Sequence, residues 1–359
     1  MSLSLARIRL MQFRSHVRIE ADFDGRPVVL CGPNGAGKTN LLEAISLLSP
    51  GRGLRRAPPE ELIGQPAGLG WRIEAVLMRH GTPHDILTEA RPESPRSVRI
   101  DGKATPQSAL GRLVPMLWLT PAMDRLWIEG AEGRRRFLDR LTLGFAPDHA
   151  EAALAYDKAM RERNRLLREG AQDAGWFTVL ESRMAETGAQ ITANRLAALA
   201  RLARAADPAS PFPQADLTLI DDSPTDLARA LAEGRRRDMA AGRSLTGPHR
   251  ADLGALWSAR GLPAAMCSTG EQKALLIATI LTHARALHTD TGLAPILLLD
   301  EVAAHLDPSR REALHDALCA LGAQAFLTGT EPGLFAPLGP RAQAFSVTAA
   351  SPLTPMDLP

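Results

Sequence analysis

Aromatic side chains are scarce in this 359-residue chain, at 4% of its residues with a single tyrosine. That scarcity counts against binding that depends mainly on stacking flat ligands or unpaired bases on aromatic rings. Cysteine is scarcer still. Cys31, Cys267 and Cys319 stand far apart, without the spacing of a disulfide framework or a metal site, and read as small packing residues in a reducing compartment. Neither sign of charge prevails. With 42 Lys and Arg against 40 Asp and Glu, the formal net charge is +2, so no massive basic tail announces a polyanionic partner. No apolar run approaches the length of a membrane span, and residues 1–9 alternate apolar and polar as a strand does, unlike a signal peptide. A cytoplasmic protein with no membrane partner is expected, with room for one large or two moderate domains.

Phosphate-binding chemistry is what the chain does carry. Gly32-Pro33-Asn34-Gly35-Ala36-Gly37-Lys38-Thr39, followed by Asn40, reads G-x-x-x-x-G-K-T. The run Val28, Val29, Leu30, Cys31 precedes it as a short buried strand, and Leu41, Leu42, Ile45 and Leu48 follow at helical spacing. Glycines let the backbone wrap an anion with its N–H groups inward, and the helix start adds a positive dipole end. In this arrangement Lys38 reaches the β- and γ-phosphates of ATP and Thr39 is positioned to ligate Mg²⁺.

Three downstream motifs say which kind of nucleotide site this is. Residues 295–301, Pro-Ile-Leu-Leu-Leu-Asp-Glu, form an apolar strand ending in two carboxylates. Asp300 would hold Mg²⁺, and Glu301 would take a proton from the attacking water. About thirty residues earlier lies Cys267-Ser268-Thr269-Gly270-Glu271-Gln272-Lys273, where Ser268 and Glu271 make a capping box for a helix that buries Leu275, Leu276, Ile280 and Leu287. Its placement resembles the signature motif of ATP-binding-cassette proteins, in which the serine, the glycine N–H and the helix dipole bind a γ-phosphate held by a second subunit. After Glu301, Asp307 caps a further helix with Pro308 in its first turn, similar to the D-loop of that superfamily.

Between the two motif groups the chain changes character. Short strands are expected at residues 71–78, 86–89 and 98–100, separated by Gly, Pro and Asp-Gly turns. Residues 123–240 turn rich in Ala, Arg, Leu and Glu. Apolar positions recur at three- and four-residue steps around Leu154, Met160 and Leu167, and again at Trp176, Leu180, Met184, Thr187, Ile191 and Ala198. An antiparallel helical arm is therefore expected, inserted between an N-terminal lobe (1–122) and a C-terminal part (241–359) that close into one head. The Pro-rich residues after Thr330 are weakly patterned and carry no expected function.

Several segments together resemble the RecF family of bacterial recombination-mediator ATPases. They are Leu10-Met11-Gln12-Phe13-Arg14-Ser15, GPNGAGKTNLLEAI from Gly32, Arg134-Arg135-Arg136-Phe137-Leu138-Asp139, Thr246-Gly247-Pro248-His249-Arg250, the Ser268 motif and LLLDEVAAHLD from Leu297. The resemblance spans nearly the whole chain. It implies an α/β fold: an ABC-type, SMC-like P-loop ATPase head carrying a short helical arm. It also implies MgATP-dependent homodimerisation, binding to duplex DNA and to single-strand/double-strand junctions, and cooperation with RecO- and RecR-like proteins in loading recombinase. By position, Lys38, Thr39 and Asp300 match the nucleotide and Mg²⁺ ligands, Glu301 the catalytic carboxylate, and Ser268, Gly270 and Asp307 the groups acting across the dimer.

The chain departs from the family pattern at Ala251-Asp252, where two acidic residues are usual. A transport ATPase or another SMC-like ATPase is the rival reading. The absence of a switch histidine near Thr328, Gly329 and Thr330, and of a Q-loop glutamine in residues 119–124, argues against transport and points to slow hydrolysis. Candidate phosphate contacts for DNA are Arg134, Arg135 and Arg136, then Arg161, Arg163, Arg165 and Arg168, then Arg235, Arg236 and Arg237.

Overall fold

The computed structural model describes residues 3–64, 69–171, 173–348 and 351–359. In chain order the strands are β1 (Leu3–Phe13), β2 (His16–Asp22), β3 (Val28–Cys31), β4 (Trp71–Arg79), β5 (Thr82–Ala90), β6 (Ser97–Ile100), β7 (Lys103–Ala104), β8 (Met116–Leu119), β9 (Ala215–Ile220), β10 (Asp252–Trp257), β11 (Leu262–Pro263), β12 (Ile296–Leu299), β13 (Ala325–Gly329), β14 (Gln343–Thr348) and β15 (Ser351–Met356). The α-helices are α1 (Lys38–Ser46), α2 (Leu110–Leu113), α3 (Ala131–Phe145), α4 (His149–Glu169), α5 (Ala174–Arg204), α6 (Leu227–Glu233), α7 (Arg235–Ala241), α8 (Thr269–Thr291) and α9 (Pro308–Ala320). They divide between two units.

The first unit comprises Met1–Asp124, Ala205–Gln214 and Ser268–Pro359. One of its sheets is antiparallel in the order β2-β1-β4-β5-β6-β7. In β1 the buried positions Leu3 and Leu5 fall out of phase with Ile8 and Leu10, and a bulge between Leu5 and Arg7 resets the alternation so that both pairs face the core. The expected N-terminal strand is thus present from Leu3, while Met1 and Ser2 lie outside the described residues. The second sheet runs β15-β14-β3-β13-β12-β8 and is parallel except for the β14–β15 pair. Its central strands β3, β12 and β13 are buried at every position, which is why they read as unbroken apolar runs rather than alternating ones. Phe23 joins the two sheets edge-on to Phe326 and Phe345, at ring centroid distances of 5.1 and 5.8 Å. Buried Gln324 accepts from Leu5 N (2.7 Å) and donates to Leu5 O (3.0 Å). Residues after Thr330, unpatterned in the sequence, supply β14 and β15 and extend this sheet past β3.

Helix α9 carries a pH-sensitive buried group. His315 is fully buried beside Phe335, and neither ring nitrogen has a hydrogen-bond partner. Burial, aided by the nearby Arg311 and Arg341 guanidiniums, pushes its pKa down to about 4. An unfolded histidine titrates near ~6.5, so on acidification the unfolded chain takes up this proton first. The stabilisation is therefore complete above about pH 6.5 and declines towards pH 4, by up to about 3 kcal/mol. His315→Leu should flatten the fall in urea midpoint between those pH values, and an unchanged slope would refute the assignment.

The second unit comprises Arg125–Arg204 and Ala215–Cys267. Helices α4 and α5 run antiparallel: a Cβ on Gly188 would lie 3.3 Å from the Tyr156 ring, and Arg163 bonds Glu181. The buried stripe differs in detail from the sequence expectation. Leu154 and Trp176 are 59% and 63% exposed, and Tyr156 and Phe177 take the inward places. The unit also holds an antiparallel sheet, β11-β10-β9, absent from the helical expectation. The expected boundary at 240 therefore shifts to Cys267, and Ala205–Gln214 falls in the first unit. The cause is tertiary: Arg195 donates to Pro248 O and Tyr156 meets His249, tying residues 241–267 to α4 and α5. Among the described residues no helix is long and apolar enough to cross a membrane.

Candidate nucleotide-binding site

Sheet order brings the distant motifs together. The loop 32–37 leaves the C-terminal end of β3 and Asp300 leaves that of β12, with β13 lying between the two strands. Carboxyl ends of parallel strands are where such sheets bind ligands. Backbone approach at the loop is close: Gly32 N donates to Gly329 O, and a Cβ on Gly32 would fall 2.1 Å from Val347 O. Gly37, at φ 97°, begins α1 in the left-handed region, where a Cβ would also strike the His16 ring. Pro33, Asn34 and Gly35 are exposed at the loop tip, whereas Ala36 is buried.

Lys38 is 4% exposed, and its Nζ donates to Gly32 O (2.7 Å) and Pro33 O (3.0 Å), so its charge is held inside the loop it serves. Thr39 Oγ1 donates to the Asp300 carboxylate, at 3.0 Å from Oδ1. These are hard oxygen donors of the kind Mg²⁺ takes, one or two from protein and the rest from phosphate and water. Among the described residues no group of three or more His, Cys, Asp or Glu side chains could hold a metal. The Thr39 hydroxyl and the Asp300 carboxylate, side by side, fit a cation that takes its remaining oxygens from a triphosphate and water. Asn40 is committed elsewhere, donating to Ser15 Oγ and accepting from Arg55.

Thr328, met in the sequence only as the place of a missing histidine, proves to be the hinge of the arrangement. Its Oγ1 donates to Asp300 Oδ1 (2.7 Å) and accepts from Glu301 N (2.9 Å). Glu301 has φ 51°, a left-handed conformation that costs a non-glycine residue about 1–2 kcal/mol, and this hydrogen bond helps hold it there. No local pattern announces Thr328, because its role depends on β13 lying next to β12. His16 is similarly unannounced. Its Nε2 donates to Gly37 O at 3.1 Å, and burial lowers its pKa against the raising effect of that bond. Burial pushes the Cys31 thiol up to about 11, with Lys38 pulling the other way, which suits a packing residue.

The signature residues stand at an exposed helix start. Ser268 Oγ accepts from Glu271 N while Glu271 accepts from Ser268 N, forming the expected capping box, and Gly270 is exposed with nothing within 4 Å of an added Cβ. Asp307 caps α9 by accepting from Arg310 N (2.9 Å), with Pro308 following. Lys273, in the first turns of α8, is buried against Asp124 at 3.3 Å.

The arginine clusters are divided by the fold. Arg134 makes a bidentate pair with Asp252 and Arg135 donates to Ala251 O, so the one carboxylate kept at this pair, and the backbone of the alanine that replaces the other, hold α3. Arg163 is fully buried between Glu181 and Asp238, and Arg235 also bonds Glu181. Arg134, Arg163 and Arg235 are therefore internal partners and not free phosphate contacts. Arg161, Arg165 and Arg168 are exposed.

Known proteins share this plan. The family model for the RecF/RecN/SMC N terminal domain matches residues 4–339. A Mesorhizobium japonicum protein described as DNA replication and repair protein RecF is 47% identical, with 96% of each chain covered. A Brucella suis protein of the same description is 46% identical, over 97% of this chain and 95% of its own. The recombination mediator RecF solved with ATPrS superposes with a TM-score of 0.83 at 22% identity, covering 99% of this chain and 98% of its own. The Smc head of Pyrococcus furiosus gives 0.57 at 16% identity, covering 99% and 97%. Sequence kinship over nearly its full length and the shared head fold establish that the chain belongs to the RecF family, with an α/β, ABC-type ATPase head.

Proposed function

We propose that this chain is an ATP-dependent DNA-binding protein of recombinational repair and replication, in which MgATP drives two heads together on duplex or gapped DNA. The carrying observation is the hydrogen-bonded line Thr39–Asp300–Thr328–Glu301 at the strand ends, facing the glycine loop and buried Lys38. In this reading Lys38 and the loop N–H groups bind the β- and γ-phosphates, while Thr39 and Asp300 orient the cation. Bound MgATP supplies the anhydride whose hydrolysis removes the bridging charge. Glu301 accepts the proton of the attacking water. Ser268 and Gly270 of a second copy, presented at the exposed start of α8, complete the γ-phosphate site, and Asp307 acts across the same junction. Differential affinity of the triphosphate for the paired heads then favours the dimer. The relatives' descriptions, DNA replication and repair and a RecFOR pathway, support RecO- and RecR-like partners in recombinase loading.

Sedimentation with and without ATP and a gapped duplex tests the proposal. The parent protein should shift to a dimer with ATP, and Lys38→Met should remain monomeric under the same conditions. An ATP-independent parent, or a Lys38→Met protein that dimerises normally, would overturn it.

A further inference from the structure

Four arginines of the second unit line one concavity. Arg161, Arg165 and Arg168 stand at i, i+4 and i+7 on α4, so they share one helix face, and Arg243 reaches the same place from the turn after α7. The cavity measures about 580 Å³ and is completed by Glu162, Asn164, Ala241 and Gly242. All four arginines are exposed, and none makes an ion pair or side-chain hydrogen bond with any described residue. Other arginines of the same unit behave differently: Arg183 pairs with Glu186, Arg195 with Asp139 and Arg229 with Glu233. Four guanidiniums against one carboxylate, Glu162, leave a local excess of three positive charges (4 − 1).

The concavity is built, not incidental. Asn164 Oδ1 accepts from both Ser244 N (2.7 Å) and Ser244 Oγ (2.8 Å), and buried Arg163 bonds Asp238 and Ser244. Those bonds fix residues 238–244 on α4 and so bring Arg243 to the cavity that Arg165 also lines. Gly242, at φ 64°, makes the turn, and a Cβ there would already touch Arg168 Cγ at 3.4 Å. Chemistry selects the occupant. Planar guanidiniums pair bidentately with phosphate oxygens, and no aromatic side chain lines the cavity to stack a base. The lining includes no large aliphatic or aromatic side chain of the kind that seats a protein partner's anchor residue.

We infer that this arginine cavity is a sequence-independent phosphate-backbone site through which the second unit grips duplex DNA. The inference rests on the DNA-binding reading above and specifies the surface. Two double variants of the full-length protein, each losing two positive charges, are compared with the parent for duplex binding, with ATP, over a salt series. Arg165→Ala/Arg243→Ala should weaken binding at least about tenfold at low salt and reduce the slope of log K against log salt by about 2 per protomer, since each phosphate contact contributes roughly 0.9. Arg183→Ala/Arg229→Ala, which removes exposed paired arginines, should leave the slope unchanged. Unaltered thermal melting would show that both variants fold. If the parent binds duplex steeply with salt and the first variant keeps that slope, the cavity assignment fails while the DNA reading stands. A parent that does not bind duplex fails both. Loss of a mediator protein with DNA binding intact would assign the cavity to an acidic protein and overturn the inference.

Discussion

Glu301→Gln is expected to lower ATP turnover by about 10²- to 10⁴-fold, the usual contribution of a positioned general base, while prolonging the ATP-bound dimer. Glutamine keeps the shape of the side chain and cannot accept the proton. The nucleotide contacts proposed for Lys38 and Thr39 are left in place, so binding should survive the loss of chemistry. Position supports the choice of Glu301 over other carboxylates. It follows Asp300 directly at the tip of β12, its backbone N–H bonds Thr328, and its φ of 51° is an uncommon conformation of the kind found at functional sites. Phosphate release and sedimentation on the same sample read both effects. A variant that turns over within about threefold of the parent, or that stays monomeric with saturating ATP, would remove Glu301 from the mechanism and with it the release step.

Arg163→Ala should be the most damaging single change outside the nucleotide site. The guanidinium is fully buried and donates to Glu181 (3.1 Å), Asp238 (2.8 Å), Ser244 Oγ (2.8 Å) and Leu231 O (2.9 Å). Removing one partner of a buried charge network strands the others, at a cost of about 3–5 kcal/mol. Glu181 would keep Arg235, but Asp238, 1% exposed and with no hydrogen bond to Oδ1, would be left with only the ion pair to Arg237 at 3.9 Å. The transition that unfolds the second unit should fall by on the order of 10 °C. Arg163→Met/Asp238→Asn removes both charges of that pair and should recover much of the loss, because the cost lies in the stranded carboxylate more than in the lost attraction. Equal melting temperatures for Arg163→Ala and the parent would show that the network contributes nothing. Since the same bonds pin residues 238–244, the single variant should also weaken duplex binding through the arginine cavity.

Legibility in the sequence varied with how local each feature is. The glycine loop, the β12 carboxylates, the Ser268–Glu271 box and the Asp307–Pro308 helix start were readable because each is a run of adjacent residues meeting a backbone requirement. Strands β4 to β6 were readable from alternation and turn residues. The second unit was readable only in part. Its two long helices follow from three- and four-residue spacing, yet Leu154 and Trp176, which fall on the apolar stripe by spacing, face solvent. Short β9 and β10 are not legible locally: β9 alternates as a strand does but is only 6 residues long, and its pairing with β10 runs from Ile220–Asp252 to Ala215–Trp257, far apart in the chain. Strands β14 and β15 were hidden by the surrounding prolines.

By itself the sequence determined that this chain carries a phosphate-binding loop and belongs with the ABC-type ATPases, since those residues carry their chemistry in their spacing. Tertiary structure decided which of the remaining polar groups take part. Inserting β13 between β3 and β12 makes Thr328 the link between Asp300 and Glu301, and pairing across α4, α5 and α7 consumes Arg163 and Arg235 while leaving Arg161, Arg165, Arg168 and Arg243 free among the described residues. A charged side chain is a ligand group or a structural one according to whether an opposite charge is packed beside it, and that neighbour is set by the fold rather than by the residues on either side in the chain.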